Sequence, residues 1–163
     1  MIATILPGSS NFHAVDYNER KVAKGVARLL EMKNFGALGE IRKPTSDELT
    51  QFLMEYSSMN PRIQKAQFHV AISCKGHEMT EAQLLDFAHQ YLKEMGYAEP
   101  EQPWLIYSHN DTDNAHLHIV TSRVAPDGRK IQHDHERRRS QAVIDKILGT
   151  DRTQKTEQDL EAA

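Results

Sequence analysis

The chain has 163 residues, 39% hydrophobic and 26% charged, which suits one domain with a real core and a solvated surface. A single cysteine, Cys74, excludes an internal disulfide and a multi-cysteine zinc site, and no apolar run approaches the ~20 residues of a membrane helix. The formal charge of −3 excludes a uniformly basic surface: even without the acidic stretch after Leu148 (Asp151, Glu157, Asp159 and Glu161 against Arg152 and Lys155) the balance is −1, so a nucleic-acid partner needs local basic patches and a bound cation.

Met1–Gly8 lacks the basic start of a signal peptide and reads as a strand over 2–6 ending at a Pro-Gly turn, with the cytoplasm as the expected location. Ser10 or Asn11 is expected to cap a helix beginning near Phe12. The spacing of Val15, Val22, Val26, Leu29 and Leu30 predicts that this helix runs from Ala14 to Met32. Phe35–Pro44, with two glycines, is a loop. Ser46-Asp47-Glu48 starts a second helix with Leu49, Phe52, Leu53 and Tyr56 on one face, stopped by Asn60-Pro61. Gln67–Lys75 alternates as a strand. Thr80 to Gln83 has capping-box character and opens a helix that ends at Gly96. Pro103–His109 and Ala115–Val124 are strands around the polar turn Asn110–Asn114. After the turn Ala125–Gly128, Arg129-Lys130-Ile131 starts another strand, so that the three form an antiparallel meander. Ser140–Leu148 closes with a helix. The predicted class is α+β, a central antiparallel sheet of about five strands with flanking helices. Residues 1–148 are the expected domain, and 149–163 a linker or frayed tail.

The most informative stretch is His109-Asn110-Asp111-Thr112-Asp113-Asn114-Ala115-His116-Leu117-His118. His116 and His118, two apart on a strand, point to one face, and Leu117 points to the other. His109 ends the preceding strand, so pairing across the turn brings three imidazoles together. Neutral imidazole is a common ligand of divalent transition metals, and three protein ligands leave positions open for substrate. Asp111 is placed to orient a ligand histidine. A lone His-x-His is a weak signal; three histidines within ten residues across a hairpin are a stronger one. His69, opposite in parity to Phe68 and Val70, is a candidate for the same face. His133 and His135 read as surface residues, and His13, His77 and His89 as isolated ones.

Tyr17 lies in the first predicted helix, whose spacing aligns it with Arg20, Lys21, Lys24 and Arg28. Such a cationic stripe would hold phosphates and favour a phenolate, although an ordinary solvated face has the same pattern. Arg123, on the histidine strand, and Arg137-Arg138-Arg139 are further candidates for DNA phosphates. Tyr56 and Tyr91 fall on apolar helix faces. Tyr107, which shares strand parity with His109, is the rival nucleophile.

These residues resemble the MobA/VirD-type mobilization relaxases, members of the His-hydrophobe-His endonuclease superfamily. The resemblance rests on HNDTDNAHLHIVTSR from His109 to Arg123, on MIATILPGSS followed by VDYN around Tyr17, on QFHVAISC with His69 and Ser73, and on the downstream RRRSQAVIDKI. It implies a divalent cation, Mg²⁺ or Mn²⁺ (with Zn²⁺ or Ni²⁺ able to take its place in a crystal), held by His109, His116 and His118. It also implies Tyr17 as a nucleophile that forms a 5′-phosphotyrosine, with Asp111 orienting a ligand or taking the tyrosine proton. The implied partners are single-stranded or locally melted transfer-origin DNA, accessory mobilization proteins and a coupling protein. In related replication initiators the nucleophilic tyrosine follows the His-x-His motif, whereas all five tyrosines here precede it. A metal-dependent phosphodiester hydrolase, a rolling-circle replication initiator and a non-catalytic DNA-binding module are the alternatives.

Overall fold

The computed structural model describes residues 1–76 and 78–149; His77 and the expected tail from Thr150 onward lie outside the described residues. The elements run β1 (Ile2–Leu6), α1 (His13–Ala23), β2 (Ala27–Lys33), α2 (Ser46–Ser57), β3 (Gln67–Ser73), α3 (Glu81–Met95), β4 (Trp104–His109), β5 (His116–Ser122) and α4 (Glu136–Leu148). The five strands make one antiparallel sheet in the order β1-β3-β5-β4-β2. This is the α+β architecture the sequence predicts.

Three elements differ from that prediction. The helix read from Ala14 to Met32 stops at Ala23, because Gly25 takes a left-handed φ of 79° and turns the chain. Val26, Leu29 and Leu30 keep helical spacing from Val22, but 27–33 is an edge strand paired with β4. Conversely, 129–131 does not become a sheet strand. Both edges of β5 are taken by β3 and β4, so among the described residues beyond the sheet only Val124 and Lys130 form a bridge, and Ile131 turns into the core. The fifth strand is therefore β2. The closing helix also begins earlier than Ser140, at Glu136.

Strand alternation divides the sheet into two faces. Phe68, Val70, Ile72, Leu117 and Ile119 pack beneath Leu84, Phe87 and Tyr91 of α3 and Ile144 of α4. On the opposite face Leu105, Tyr107 and Val120 pack with Val15 of α1 and Leu49 and Leu53 of α2. Capping boxes start α2 (Thr45 with Glu48) and α3 (Thr80 with Gln83), each cap worth about 1 kcal/mol. The start of α1 is different. No side chain caps it, and Phe12 precedes it in a left-handed conformation (φ 52°) with its ring fully buried. Burial of that aromatic ring offsets a backbone cost of about 1–3 kcal/mol and fixes the angle at which α1 leaves the sheet.

Candidate active site and metal centre

The α1 side of the sheet carries the histidines. Antiparallel register sets His109 directly opposite His116, and Tyr107 opposite His118. In turn, β3 places His69 and Ala71 beside β5, with His118 opposite Ala71. The rings of His109 and His118 stack at 3.9 Å between centroids with 13° between planes, and His116 stands 5.1 Å from His109. One ligand atom from each of His109, His116 and His118 lies within 4.8 Å of the others.

Hydrogen bonds decide which nitrogens are free. Asn18, buried on the inner side of α1, donates from Nδ2 to the Ala14 carbonyl at 2.8 Å. Its Oδ1 is thereby turned to His109 Nε2 at 2.6 Å. An amide oxygen only accepts, so His109 carries its proton on Nε2. Its Nδ1 is left buried without a partner among the described residues. Likewise, His116 donates from Nδ1 to the Asn114 carbonyl at 3.1 Å, which leaves Nε2 as the bare nitrogen. His118 Nδ1 and His69 Nε2 are 2.8 Å apart; when His118 donates here, its Nε2 is bare as well. Burial pushes His109 down to about 4 and His118 down to about 2, and neighbouring histidines add to both shifts. His69 is also pushed down to about 4, chiefly by burial. Neutral imidazoles with convergent lone pairs, one of them a buried orphan nitrogen, fit a divalent cation.

Tyr17 borders this cluster. Its ring centroid lies 6.0 Å from that of His118, 6.2 Å from His69 and 6.5 Å from His109, and the residue is 44% exposed. Lys21, one turn along α1, sits 5.1 Å above the Tyr17 ring and pairs with Asp111. The Asp111 carboxylate, with the Tyr17 hydroxyl, raises the Lys21 ammonium above its usual range. Asp111 Oδ1 is 3.6 Å from His116 Nε2. Asp111 thus joins the cation beside the tyrosine to the rim of the histidine cluster. Tyr107 is wholly buried and its hydroxyl is pushed far up by burial, so it is a core residue.

Hollows flank the cluster on both sides. A cleft of about 750 Å³ opens onto His109 and His116 between the start of α3 and the β4–β5 turn, with Thr80, Glu81, Asn110 and Asn114 on its walls. A smaller hollow of about 270 Å³, lined by Leu6, Pro7, His13, Ala14, Tyr17 and His69, lies on the other side.

The expected basic stripe is dispersed. Arg20 pairs with Asp16 on the exposed face of α1, and Lys24 follows the helix end. Arg28 is on β2, not on the helix, and pairs with Glu81. Arg123 is buried: its guanidinium donates to Glu136 at 2.7 Å and to the Gln67 carbonyl, which ties β5 to α4 and β3. Arg139 donates to the carbonyls of Gln132 and Met95. Arg137 and Arg138 are exposed on α4, across the sheet from α1. Asn18 stands in no motif of the sequence, yet its side chain faces His109. The available signal was its position between Val15 and Val22, a lone polar residue on the inward stripe of α1.

Residues 17–150 match the family model described as "Relaxase: MobA/VirD2-like, nuclease domain". Neither the curated proteins nor the solved structures hold a match.

Proposed function

The chain belongs to the MobA/VirD2-like relaxase nuclease family, and from that premise we propose that it nicks one DNA strand at a transfer origin by direct attack of Tyr17. The observation that carries this reading is the position of Tyr17 beside His69, His109 and His118, with one hollow opening onto Tyr17 and His69 and a larger cleft onto His109 and His116.

His109 through Nδ1, and His116 and His118 through Nε2, would hold the cation, Mg²⁺ or Mn²⁺. When bound, such a cation supplies Lewis-acid polarisation of the scissile phosphate. The remaining steps belong to the protein. The Tyr17 oxygen bonds to phosphorus while the bond from phosphorus to the 3′-oxygen breaks. The phenolic proton passes to a base, for which Asp111 is the candidate, and the departing 3′-oxygen takes up a proton. Lys21, charged and beside the tyrosine, offsets negative charge on the phenolic oxygen and the phosphate. A 5′-phosphotyrosine and a free 3′-hydroxyl result. Because the linkage keeps much of the phosphodiester's energy, a 3′-hydroxyl can reverse the step and rejoin the strand. That reversibility suits mobilization, in which accessory mobilization proteins and a coupling protein would take part. Lys24, Arg137 and Arg138 are the remaining proposed phosphate contacts, and Arg20, Arg28, Arg123 and Arg139 would contribute mainly by fixing the surfaces around them.

The test is a denaturing gel of labelled single-stranded candidate origin DNA mixed with protein and Mg²⁺ or Mn²⁺. A covalent adduct that vanishes in EDTA and in Tyr17→Phe supports the reading. Cleavage without an adduct, unchanged in Tyr17→Phe, would replace it with a water-dependent hydrolase.

A further inference from the structure

A second cleft, of about 520 Å³, lies at the end of the sheet where β3 begins. Asn60, Arg62, Ile63, Gln64, Lys65, Lys130 and His133 line it. Three formal cations meet there and no acid is among the lining residues. Elsewhere Arg28, Arg42, Arg129 and Lys146 are each held by a carboxylate, whereas Lys24, Lys33, Lys75, Lys93, Arg137 and Arg138 have no ion pair among the described residues; none of these line the cleft. Among the described residues none of Arg62, Lys65 and Lys130 has an ion-pair partner, and all three are exposed. His133 Nδ1 is buried beside them without a partner among the described residues. In a chain of net charge −3, this is an uncompensated positive patch.

Its location connects it to the Tyr17 site. Lys65 precedes His69 by four residues, roughly 13 Å of extended chain. The connection from β1 to α1 lies between them. Pro7 lines the hollow at Tyr17, and a Cβ on Gly8 would stand 3.3 Å from Lys65 Cβ. Gln67 secures this divider: it donates to the carbonyls of Pro7 and Ser9, and its Oε1 accepts from the Ala14 amide at the start of α1. The cleft is held in fixed relation to the nucleophile's helix, one step beyond the smaller hollow.

We propose that Arg62, Lys65 and Lys130 bind the phosphodiester backbone of the substrate strand a few nucleotides from the scissile phosphate. The ligand is a run of DNA phosphates, read by charge and not by base. This rests on the relaxase reading and adds a docking track to it. It also accounts for how an acidic chain grips a polyanion: the grip is local, at a cleft whose lining holds three cations and no acid.

The experiment measures binding of a labelled oligothymidylate by fluorescence anisotropy across a salt series in Mn²⁺. Every protein carries Tyr17→Phe, so that no covalent capture contributes. One variant adds Arg62→Gln, Lys65→Gln and Lys130→Gln. A charge-matched control adds Lys33→Gln, Lys93→Gln and Lys146→Gln, which are exposed elsewhere. Loss of three phosphate contacts is expected to shrink the slope of log affinity against log salt by about 2, at ~0.7 per phosphate, and to weaken low-salt affinity roughly tenfold or more. The control is expected to bind as the reference does. Equal affinity and slope in the cleft variant, or an equal loss in the control, would overturn the proposal. Failure of the relaxase reading shows separately, as absence of adduct in the gel with unsubstituted Tyr17.

Discussion

Replacing Asn18 by Ala probes the candidate metal centre through a residue outside the proposed ligand set. In α1, Ala is the better helix former by up to about 0.7 kcal/mol, so the helix itself gains slightly. Against this, His109 Nε2–H loses its acceptor in a buried position, which costs about 1–3 kcal/mol. The net loss of stability should be about 1–2 kcal/mol, a fall in melting temperature of roughly 2–8 °C for a domain of this size. The sharper effect is on affinity. Without the amide oxygen nothing holds the proton on Nε2, and the Nδ1 lone pair is no longer fixed toward His116 and His118. Loss of such an orienting partner typically weakens a site 10–100-fold, about 1.4–2.7 kcal/mol. Calorimetric titration of the metal-free protein with Mn²⁺ reads this directly. Asn18→Asp keeps an acceptor at the same place and should retain affinity close to that of the native chain. Wild-type affinity in Asn18→Ala, with the expected loss of stability, would show that Asn18 merely fills the core and that the assignment of His109 Nδ1 as ligand is unsupported.

Two other outcomes follow from the buried polar groups. In EDTA the folded domain keeps His69, His109 and His118 neutral, since burial holds them at about 4, 4 and 2, whereas the unfolded chain takes up protons below about 6.5. The unfolded state then binds more protons, so stability falls as pH drops from 7.5 to 5.5, by about 1.4 kcal/mol for each such histidine at pH 5.5. Thermal melts of the metal-free protein should show this slope and His118→Gln should flatten it; a melting temperature independent of pH would refute the burial argument. For Arg123, substitution by Ala strands Glu136, whose side chain is only 17% exposed, and should cost about 3–5 kcal/mol in urea unfolding. A variant that stays fully stable and loses only DNA affinity would show that the guanidinium faces substrate and not Glu136.

The histidine cluster was legible in the sequence because period-two alternation and a short turn leave little freedom: His116 and His118 share a face, and antiparallel pairing brings back His109. His69 was half legible, since parity gives its face but not its neighbour across β3 and β5. Tyr17 was legible only through the motif around it; its approach to the histidines depends on how Phe12 and Gly25 orient α1, which no periodicity reports. The same Gly25 explains the misreading of β2. Val26, Leu29 and Leu30 satisfy a helical period, and a left-handed glycine at the break outweighs it. The basic residues were the least legible group, because pairing with carboxylates distant in sequence, such as Arg28 with Glu81 or Arg123 with Glu136, decides which cations remain open.

None of the three metal-ligand candidates stands on an edge strand: β4 and β5 are each hydrogen-bonded on both sides. Tyr17, by contrast, rides a helix joined to the sheet through the turn at Pro7–Gly8 and the break at Gly25. Amide exchange should therefore be slowest across β3, β5 and β4 and faster through α1, which would make the three-histidine cluster and Tyr17 parts of separate cooperative units. On the proposed mechanism, a strand end attached to Tyr17 would be carried by the faster-exchanging of these two units. The histidines would meanwhile stay assembled for a returning 3′-hydroxyl, so that waiting and rejoining would not compete for the same motion.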